Sequence, residues 1–216
     1  MAVPAVIRYG YGFVQGADAA AKEMGINVNI KYVYGNQFYG DADITAYMDN
    51  WYQNGTQIVF ACGGGIYTSA VDAAKKVEGA KVIGVDVDQA AVITKYAAGG
   101  DNATEEELAK WADLTVTSAM KGLAPTTIDT LTDVVLNGNW ANYAGKIETL
   151  GLVGEDPALN YVQIADSTQY EDGKFTADDY KALVKGMVDG TITVSNDIVN
   201  APAVTNTTVD YLGNIK

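Results

Sequence analysis

Histidine is absent from the 216 residues, and cysteine occurs once, as Cys62. Without histidine the chain has no Ser-His-Asp or Cys-His catalytic arrangement and no histidine metal ligand. A single cysteine forms neither an internal disulfide nor a cysteine zinc cluster. The sequence therefore predicts a binding protein rather than an enzyme, with no catalytic residues, no metal ligands and no cofactor.

Basic residues are scarce, since 14 lysines and arginines stand against 27 acidic residues and give a formal charge of −13. This charge repels phosphate backbones, so nucleic acid is not an expected partner. No run approaches the roughly 18 apolar residues of a membrane span. Residues 1–8 carry no pattern typical of a secretory signal. With 48% hydrophobic residues, the chain is expected to fold around a core.

The first part of the chain alternates between helical and extended patterns. Because parallel neighbours need crossover connections, this predicts an α/β fold in which a parallel sheet has helices on both faces. Ligands of such sheets bind beyond the carboxyl ends of the strands, which directs attention to residues 36–41, 62–65 and 86–89. The predicted helices are 8–24, 44–52 and 66–77, and the predicted strands are 27–34, 58–61 and 81–85.

The second part of the chain is patterned differently. Residues 90–113 are polar, include a capping box from Thr104 to Glu107, and are predicted to form a surface excursion. A change of composition near residues 139–140 predicts a boundary between an α/β lobe, 1–138, and a C-terminal segment, 139–216. The further predictions are strands at 114–117, 146–153 and 159–164, a long helix from Met120 to about Asn137, and a last helix that begins after Thr176.

Three glycines, Gly63 to Gly65, follow a predicted strand and precede a helix. Glycine lets the backbone approach a ligand closely, so Gly64 is a candidate contact. The stretch matches neither GxGxxG nor GxxxxGK[ST]. A tight strand-to-helix turn without a ligand explains the glycines equally well.

Asp86 and Asp88 are separated by one residue at the end of a predicted strand. If the backbone stays extended, both carboxylates point to the same side and can accept hydrogen bonds from sugar hydroxyls. Helix capping or a solvated loop is the alternative. A pair of acids for glycoside hydrolysis is a further alternative, although no second carboxylate across a cleft is predicted.

Lys121 and Phe38 are the remaining candidates. Lys121 lies near the start of a predicted helix, where the dipole disfavours a cation, so an acidic partner or ligand would explain it. A surface lysine is the alternative. Phe38 lies in a polar, glycine-flanked loop, where it or Tyr39 could stack on a flat ring or could simply anchor the loop.

Five stretches of the chain carry a resemblance to a known family. They are Tyr9 to Phe13 with Gly16 and Ala17, Asn36 to Phe38, Cys62 to Gly65, Val82 to Gln89, and Thr117 to Gly122. Together they resemble the basic membrane protein family of ABC-transporter substrate-binding lipoproteins, which includes purine nucleoside receptors.

That resemblance implies a type I periplasmic-binding-protein fold, in which two α/β lobes joined by three crossovers enclose the solute. Residues 1–138 then correspond to the second lobe, and residues 139–216 to a crossover and the C-terminal segment that completes the first lobe.

The resemblance also implies a role for each candidate residue. Phe38 matches the aromatic residue that stacks on the purine, and Gly64 lies in the glycine turn that touches the ligand through its backbone. Asp86 matches the aspartate that binds the ribose, and Lys121 matches the lysine beside the ribose. The segment 93–113 departs from the family because it lengthens the path between the aspartate and the lysine.

The function implied is non-catalytic capture of a nucleoside, with purine preferred, for delivery to an ABC-transporter permease. The full-length protein is expected to be extracytoplasmic and held at the cell membrane by a lipid anchor outside this chain. Association into a homodimer stays open. The rival expectation is a nucleoside or sugar hydrolase that uses Asp86 and Asp88, and a third is an interaction domain with no small ligand.

Overall fold

The computed structural model describes residues 1–215, so the last residue of the predicted C-terminal segment, Lys216, lies outside it. Within this range helices and strands alternate along most of the chain. None of the described helices is both long and apolar enough to cross a lipid bilayer. The helices are α1 (Pro4–Met24), α2 (Ala42–Gln53), α3 (Tyr67–Ala74), α4 (Ala90–Ala97), α5 (Glu105–Trp111), α6 (Leu123–Leu131) and α7 (Ala177–Val188), and the strands are β1 (Val28–Tyr34), β2 (Ile58–Phe60), β3 (Lys81–Asp86), β4 (Thr115–Lys121), β5 (Val162–Ile164) and β6 (Thr207–Asn214).

The strands form two sheets. One has two strands in the order β1-β6, and the other has four in the order β2-β3-β4-β5. Pairing is parallel throughout except between β4 and β5. The predicted α/β fold with a parallel sheet and crossover helices is therefore confirmed, because parallel neighbours cannot be joined by tight hairpins.

Helix ends follow the local chemistry of the sequence. Asp41 caps α2 by accepting a hydrogen bond from the Ile44 N–H, and Gly25 ends α1 in the left-handed conformation with φ of 67°. Thr104 and Glu107 form the predicted capping box at the start of α5. These terminal contacts explain why the helices of the first part of the chain begin and end close to their predicted limits.

The core lies between α2, α3 and α4 and the adjacent strands β2 and β3. The stripe predicted for α2 supplies four of its buried residues, Ile44, Met48, Trp51 and Tyr52. Tyr52 keeps its hydroxyl satisfied by donating to the Lys81 carbonyl at 2.7 Å. A phenol that buries its ring and still finds a partner stabilises such a core without a desolvation cost.

One predicted strand is wrong. Residues 146–153 carry a strand-like apolar pattern but do not join a sheet. At their end, buried Asn160 accepts from the N–H groups of Val153 and Gly154 at 2.6 and 3.0 Å and closes a turn. A local pattern does not supply the ladder partner that a strand requires.

Residues 139–216 contribute strands to both sheets. β5 pairs with β4, and β6 pairs with β1 along almost its whole length. The strand at β6 was not predicted from its threonine-rich sequence. Whether 1–138 and 139–216 behave as separate domains stays a prediction.

The prediction of a surface excursion at residues 90–113 is wrong in part, because α4 packs into the core. Ile93 and Ala97 on α4 are fully buried, whereas α5 has no buried residue. The long helix predicted from Met120 is also corrected. Met120 belongs to β4, α6 begins at Leu123, and a π-helical turn follows at Thr132–Leu136.

The burial of Ile93 predicts a large loss of stability on truncation. Ile93→Ala is expected to lower the free energy of unfolding by about 2–5 kcal/mol, because it leaves a cavity in the core. Val92→Ala is the matched control, since Val92 is exposed on the same helix, and its effect should stay within about 0.5 kcal/mol. Urea unfolding followed by circular dichroism measures both, and equal effects would place α4 outside the core.

Candidate functional site

The carboxyl ends of four strands bring the predicted site residues to one edge of the fold. Phe38 follows β1, Gly64 follows β2, Asp86 ends β3 and Lys121 ends β4. We call these four residues, with Gln89, the strand-tip cluster. Since ligands of parallel sheets bind at this edge, the cluster lies where binding chemistry is expected.

Phe38 rests on the glycine turn. Its carbonyl accepts a hydrogen bond from the Gly65 N–H at 2.8 Å. A Cβ at Gly63 would lie 3.2 Å from the Phe38 ring, so any larger side chain at that position would push the ring away. The Phe38 side chain is nevertheless 44% exposed. The turn therefore positions a ring that keeps an open face.

Gln89 joins the glycine turn to β3 and β4. Its side-chain nitrogen donates to the Gly64 carbonyl at 3.0 Å, and its side-chain oxygen accepts from the Val85 N–H at 2.9 Å. Its own backbone N–H donates to the Ser118 hydroxyl at 3.0 Å. Both Gln89 and Ser118 are buried. Buried hydrogen bonds of this kind rigidify the loops that they connect.

Sequence reasoning did not single out Gln89 and Ser118, although Gly84 offered a signal. A Cβ at Gly84 would lie 2.6 Å from the Ser118 hydroxyl oxygen and 2.9 Å from the Gln89 Cβ. A glycine in the middle of a buried strand often marks such a close approach. The strand therefore leaves room for the two polar side chains that hold the cluster together.

Asp86 has a left-handed backbone, with φ of 71°. The Val87 N–H donates to the Val85 carbonyl at 2.9 Å, so Asp86 is the central residue of a γ-turn. This conformation costs a residue with a Cβ about 1–2 kcal/mol, and strain of this type gathers at functional sites. The condition under which Asp86 and Asp88 would point to the same side, an extended backbone, is therefore not met.

Because of this turn, Asp86 and Asp88 have different partners. Asp86 pairs with Lys121, whose Nζ lies 2.7 Å from its Oδ1. Asp88 accepts from the Ser167 hydroxyl at 2.7 Å and from the Ala90 N–H at 3.1 Å. The Asp86 carboxylate therefore belongs to the strand-tip cluster, whereas the Asp88 carboxylate binds the loop after β5 and the start of α4.

The sequence predicted an acidic partner or ligand for Lys121, and in the structure Lys121 pairs with Asp86. Gly122, the next residue, places Lys121 at this point, because its N–H donates to the Tyr161 carbonyl at 2.8 Å. A Cβ at Gly122 would lie only 2.2 Å from the Asn160 carbonyl oxygen, so the tip of β4 packs directly on the chain that leads into β5. Helices α4 and α5 lie between Asp86 and Lys121 in the sequence, and the two side chains nevertheless form an ion pair.

Two further groups lie within electrostatic reach of Asp86. The pKa of the Cys62 thiol is raised to about 12, chiefly by burial and also by the charge of Asp86, while Lys121 opposes the shift. Burial also raises the pKa of Tyr9 to about 12, again with a contribution from Asp86. The Tyr9 hydroxyl donates to the Met120 carbonyl at 3.3 Å. Both groups are therefore neutral at physiological pH, and the charges of the cluster reside on Asp86 and Lys121.

Comparison with known protein families finds no match for this chain, and comparison with curated proteins finds none either.

Together, these groups offer three kinds of contact. The open face of Phe38 can stack on a flat ring. A carboxylate has about four lone-pair sites, so Asp86 can accept hydroxyl hydrogen bonds while it is paired with Lys121. Lys121 carries three N–H donors. The cluster is suited to a ligand that combines a planar ring with neighbouring hydroxyls.

Removing the charge of Asp86 should make Cys62 more acidic. In Asp86→Asn the carboxylate no longer opposes thiolate formation and Lys121 still favours it, so the pKa of Cys62 should fall. Asparagine tolerates the left-handed backbone, so the turn is kept. The pH profile of iodoacetamide alkylation should shift to lower pH, by up to about one unit or a tenfold faster rate at fixed pH.

Asp88→Asn is the matched control for this experiment, because Asp88 is held by Ser167 and does not contribute to the raised pKa of Cys62. Its alkylation profile should coincide with that of the unaltered chain. Identical profiles for all three proteins would show that Asp86 and Cys62 are not neighbours.

Proposed function

We propose that this chain binds a nucleoside, preferably a purine nucleoside, at the strand-tip cluster without transforming it. The observation that carries the proposal is the meeting of an exposed aromatic ring, a glycine turn and a strained aspartate paired with a lysine at the tips of neighbouring strands. In this arrangement Phe38 stacks on the base, and Asp86 with Lys121 binds the ribose hydroxyls.

The stack depends on how Phe38 is held. The hydrogen bond from the Gly65 N–H fixes its backbone, and the absence of a side chain at Gly63 lets the ring approach the turn closely. A ring that is already positioned loses little conformational entropy on binding. Stacking of a base on an aromatic side chain contributes about 1–3 kcal/mol.

The contact with ribose depends on Asp86. Its γ-turn turns the residue out of the extended path of β3, and Lys121 fixes one carboxylate oxygen at 2.7 Å. An ion pair this exposed contributes at most about 1 kcal/mol to stability, which is too little to compensate clearly for the strained backbone. A role in holding adjacent hydroxyls gives the strain a function, because hydrogen bonds to a charged acceptor are worth about 1.5–3 kcal/mol.

We further propose that the chain is part of an ABC-transporter substrate-binding protein of the basic membrane protein family, with a type I periplasmic-binding-protein fold. The sequence resemblance supports this assignment, as does the parallel α/β arrangement with its candidate site at the strand tips. In that role the protein works outside the cytoplasm, anchored to the cell membrane by lipid, and delivers the nucleoside to a permease.

Binding by residues 1–216 alone should be weak. The described residues provide one wall of a site, and stacking plus two hydroxyl contacts must overcome an association cost of at least about 4 kcal/mol. The Kd for inosine or guanosine is therefore expected to be about 0.1 mM or weaker, which corresponds to a binding free energy of at most about 5.5 kcal/mol. NMR titration should detect it, and submicromolar binding in calorimetry would contradict the one-walled site.

Variants and analogues test the assignment of each contact. Phe38→Ala should weaken inosine binding at least about fivefold through loss of the stack, whereas Tyr39→Ala, at the next and more exposed position, should change it little. 2′,3′-Dideoxyinosine should bind worse than inosine to the unaltered chain, and this difference should be smaller in Asp86→Asn, where the charged acceptor is lost. If the two compounds bind the unaltered chain alike, Asp86 does not bind ribose.

The proposed binding is not catalytic, and this is separately testable. Incubation with inosine, adenosine and other ribosides should release no free base above the spontaneous rate, as measured by chromatography. Asp86 and Asp88 have different hydrogen-bond partners, which supports binding over hydrolysis by this pair. Base release that Asp88→Asn abolishes would favour the hydrolase over the binding protein.

A further inference from the structure

A cavity of about 690 Å³ separates the two sheets. Every residue of β1 and β2 lines it, together with Asn27 and Gly35 beside β1 and Gln57 beside β2. β1 pairs only with β6, and β2 pairs only with β3, so within residues 1–215 no ladder joins the two sheets. The edge of β1 and the edge of β2 therefore face each other across the cavity.

The two facing strands run in the same direction. Gly35, just after β1, approaches Ile66, since a Cβ at Gly35 would lie 2.8 Å from the Ile66 side chain. Ile66 follows the glycine turn at the carboxyl end of β2. The carboxyl ends of β1 and β2 therefore lie at the same end of the cavity, as they do for neighbours in a parallel sheet.

Helices cover the cavity. On α1, Gly10 packs against the Tyr32 ring of β1, and Phe13 packs against the Phe60 ring of β2 with centroids 5.5 Å apart. On α2, Met48 and Trp51 line the cavity from within the core. The space is thus bounded by two strand edges and by apolar helix surfaces, which is the environment of an inner strand in an α/β sheet.

Its dimensions also suit a strand. A six-residue strand occupies a slab about 20 Å long, 4.8 Å wide and 10 Å deep, which is of the same order as this cavity. Such a strand could pair on one side with the N–H and C=O groups of β1 and on the other side with those of β2. A compact small molecule would leave most of them without partners from the ligand.

Met1 lies at one end of the cavity. It lines the cavity wall, and its amino group is close enough to Cys62, just beyond β2, for their charges to interact. A strand that lies between β1 and β2, parallel to both, would therefore end beside Met1. From there α1 leads back to the start of β1, which is the path of a parallel crossover.

We propose that this cavity is a binding slot for one extended apolar peptide strand, which lies parallel between β1 and β2 and joins the two sheets into one. The occupant is apolar on both faces, because both faces meet apolar helices. It is recognised chiefly through its backbone, as in other cases where a strand adds to a sheet. This inference is independent of nucleoside binding at the strand tips.

The test attaches a strand directly before Met1, which gives it a high effective concentration at the slot. The attached peptide copies β3, Lys-Val-Ile-Gly-Val-Asp, a strand that pairs on both sides in this chain. The matched control replaces both of its valines with proline, which removes two N–H donors. Residue-resolved amide hydrogen exchange and thermal unfolding are measured on both proteins and on the unextended chain.

With the β3 copy, the amides of Val28–Tyr34 and Ile58–Phe60 should exchange at least tenfold more slowly than with the proline control, and Tm should rise by at least about 5 °C. The outer strands β5 and β6 serve as internal references and should change less. Equal protection with both extensions would overturn the proposal. So would slow exchange of both strands in the unextended chain, since the sheets would then pair directly, and so would protection that grows with protein concentration.

Discussion

The hydrogen bonds of Gln89 are the constraint on which the candidate site depends. Through its side chain and its backbone N–H, this residue connects the glycine turn after β2, the end of β3 and the middle of β4. The contacts with Val85 and Ser118 are buried and the contact with Gly64 is partly buried, so an unsatisfied partner would be costly. Phe38 and Asp86 acquire fixed positions because the turns that carry them are joined in this way.

The fold could be predicted from sequence where local signals and tertiary context agree. The helix stripe from Ile44 to Tyr52 and the capping box at Thr104 are determined by neighbours in the chain, and both are confirmed. Residues 146–153 also have an apolar, strand-like pattern, but hydrogen bonds from Val153 and Gly154 to the buried Asn160 side chain form a turn at their end. Strand formation depends on distant partners, so neither the presence of β6 nor the absence of a strand at 146–153 could be predicted from local patterns.

The candidate site likewise combines features that the sequence predicts with features that it does not. Lys121 was predicted near the start of a helix but ends β4. The rule that ligands bind at strand tips singled out Phe38, Gly64 and Asp86, each of which follows or ends a strand. It did not predict the partners that fix them, Gln89 and Ser118, because those contacts join residues about 25 and 29 positions apart in sequence. The direction of Asp88 was also missed, since a single γ-turn at Asp86 reverses the alternation of an extended strand.

The pairing of Asp86 with Lys121 has a consequence for selectivity. One negative and one positive charge cancel at the strand tips, while the molecule as a whole carries a formal charge of −13. A phosphorylated ligand would approach against this field and would compete with Asp86 for the only cation that the cluster offers. Under the proposed function, discrimination between a nucleoside and its nucleotides would need no steric barrier, because the electrostatics of the surface already favour the uncharged form.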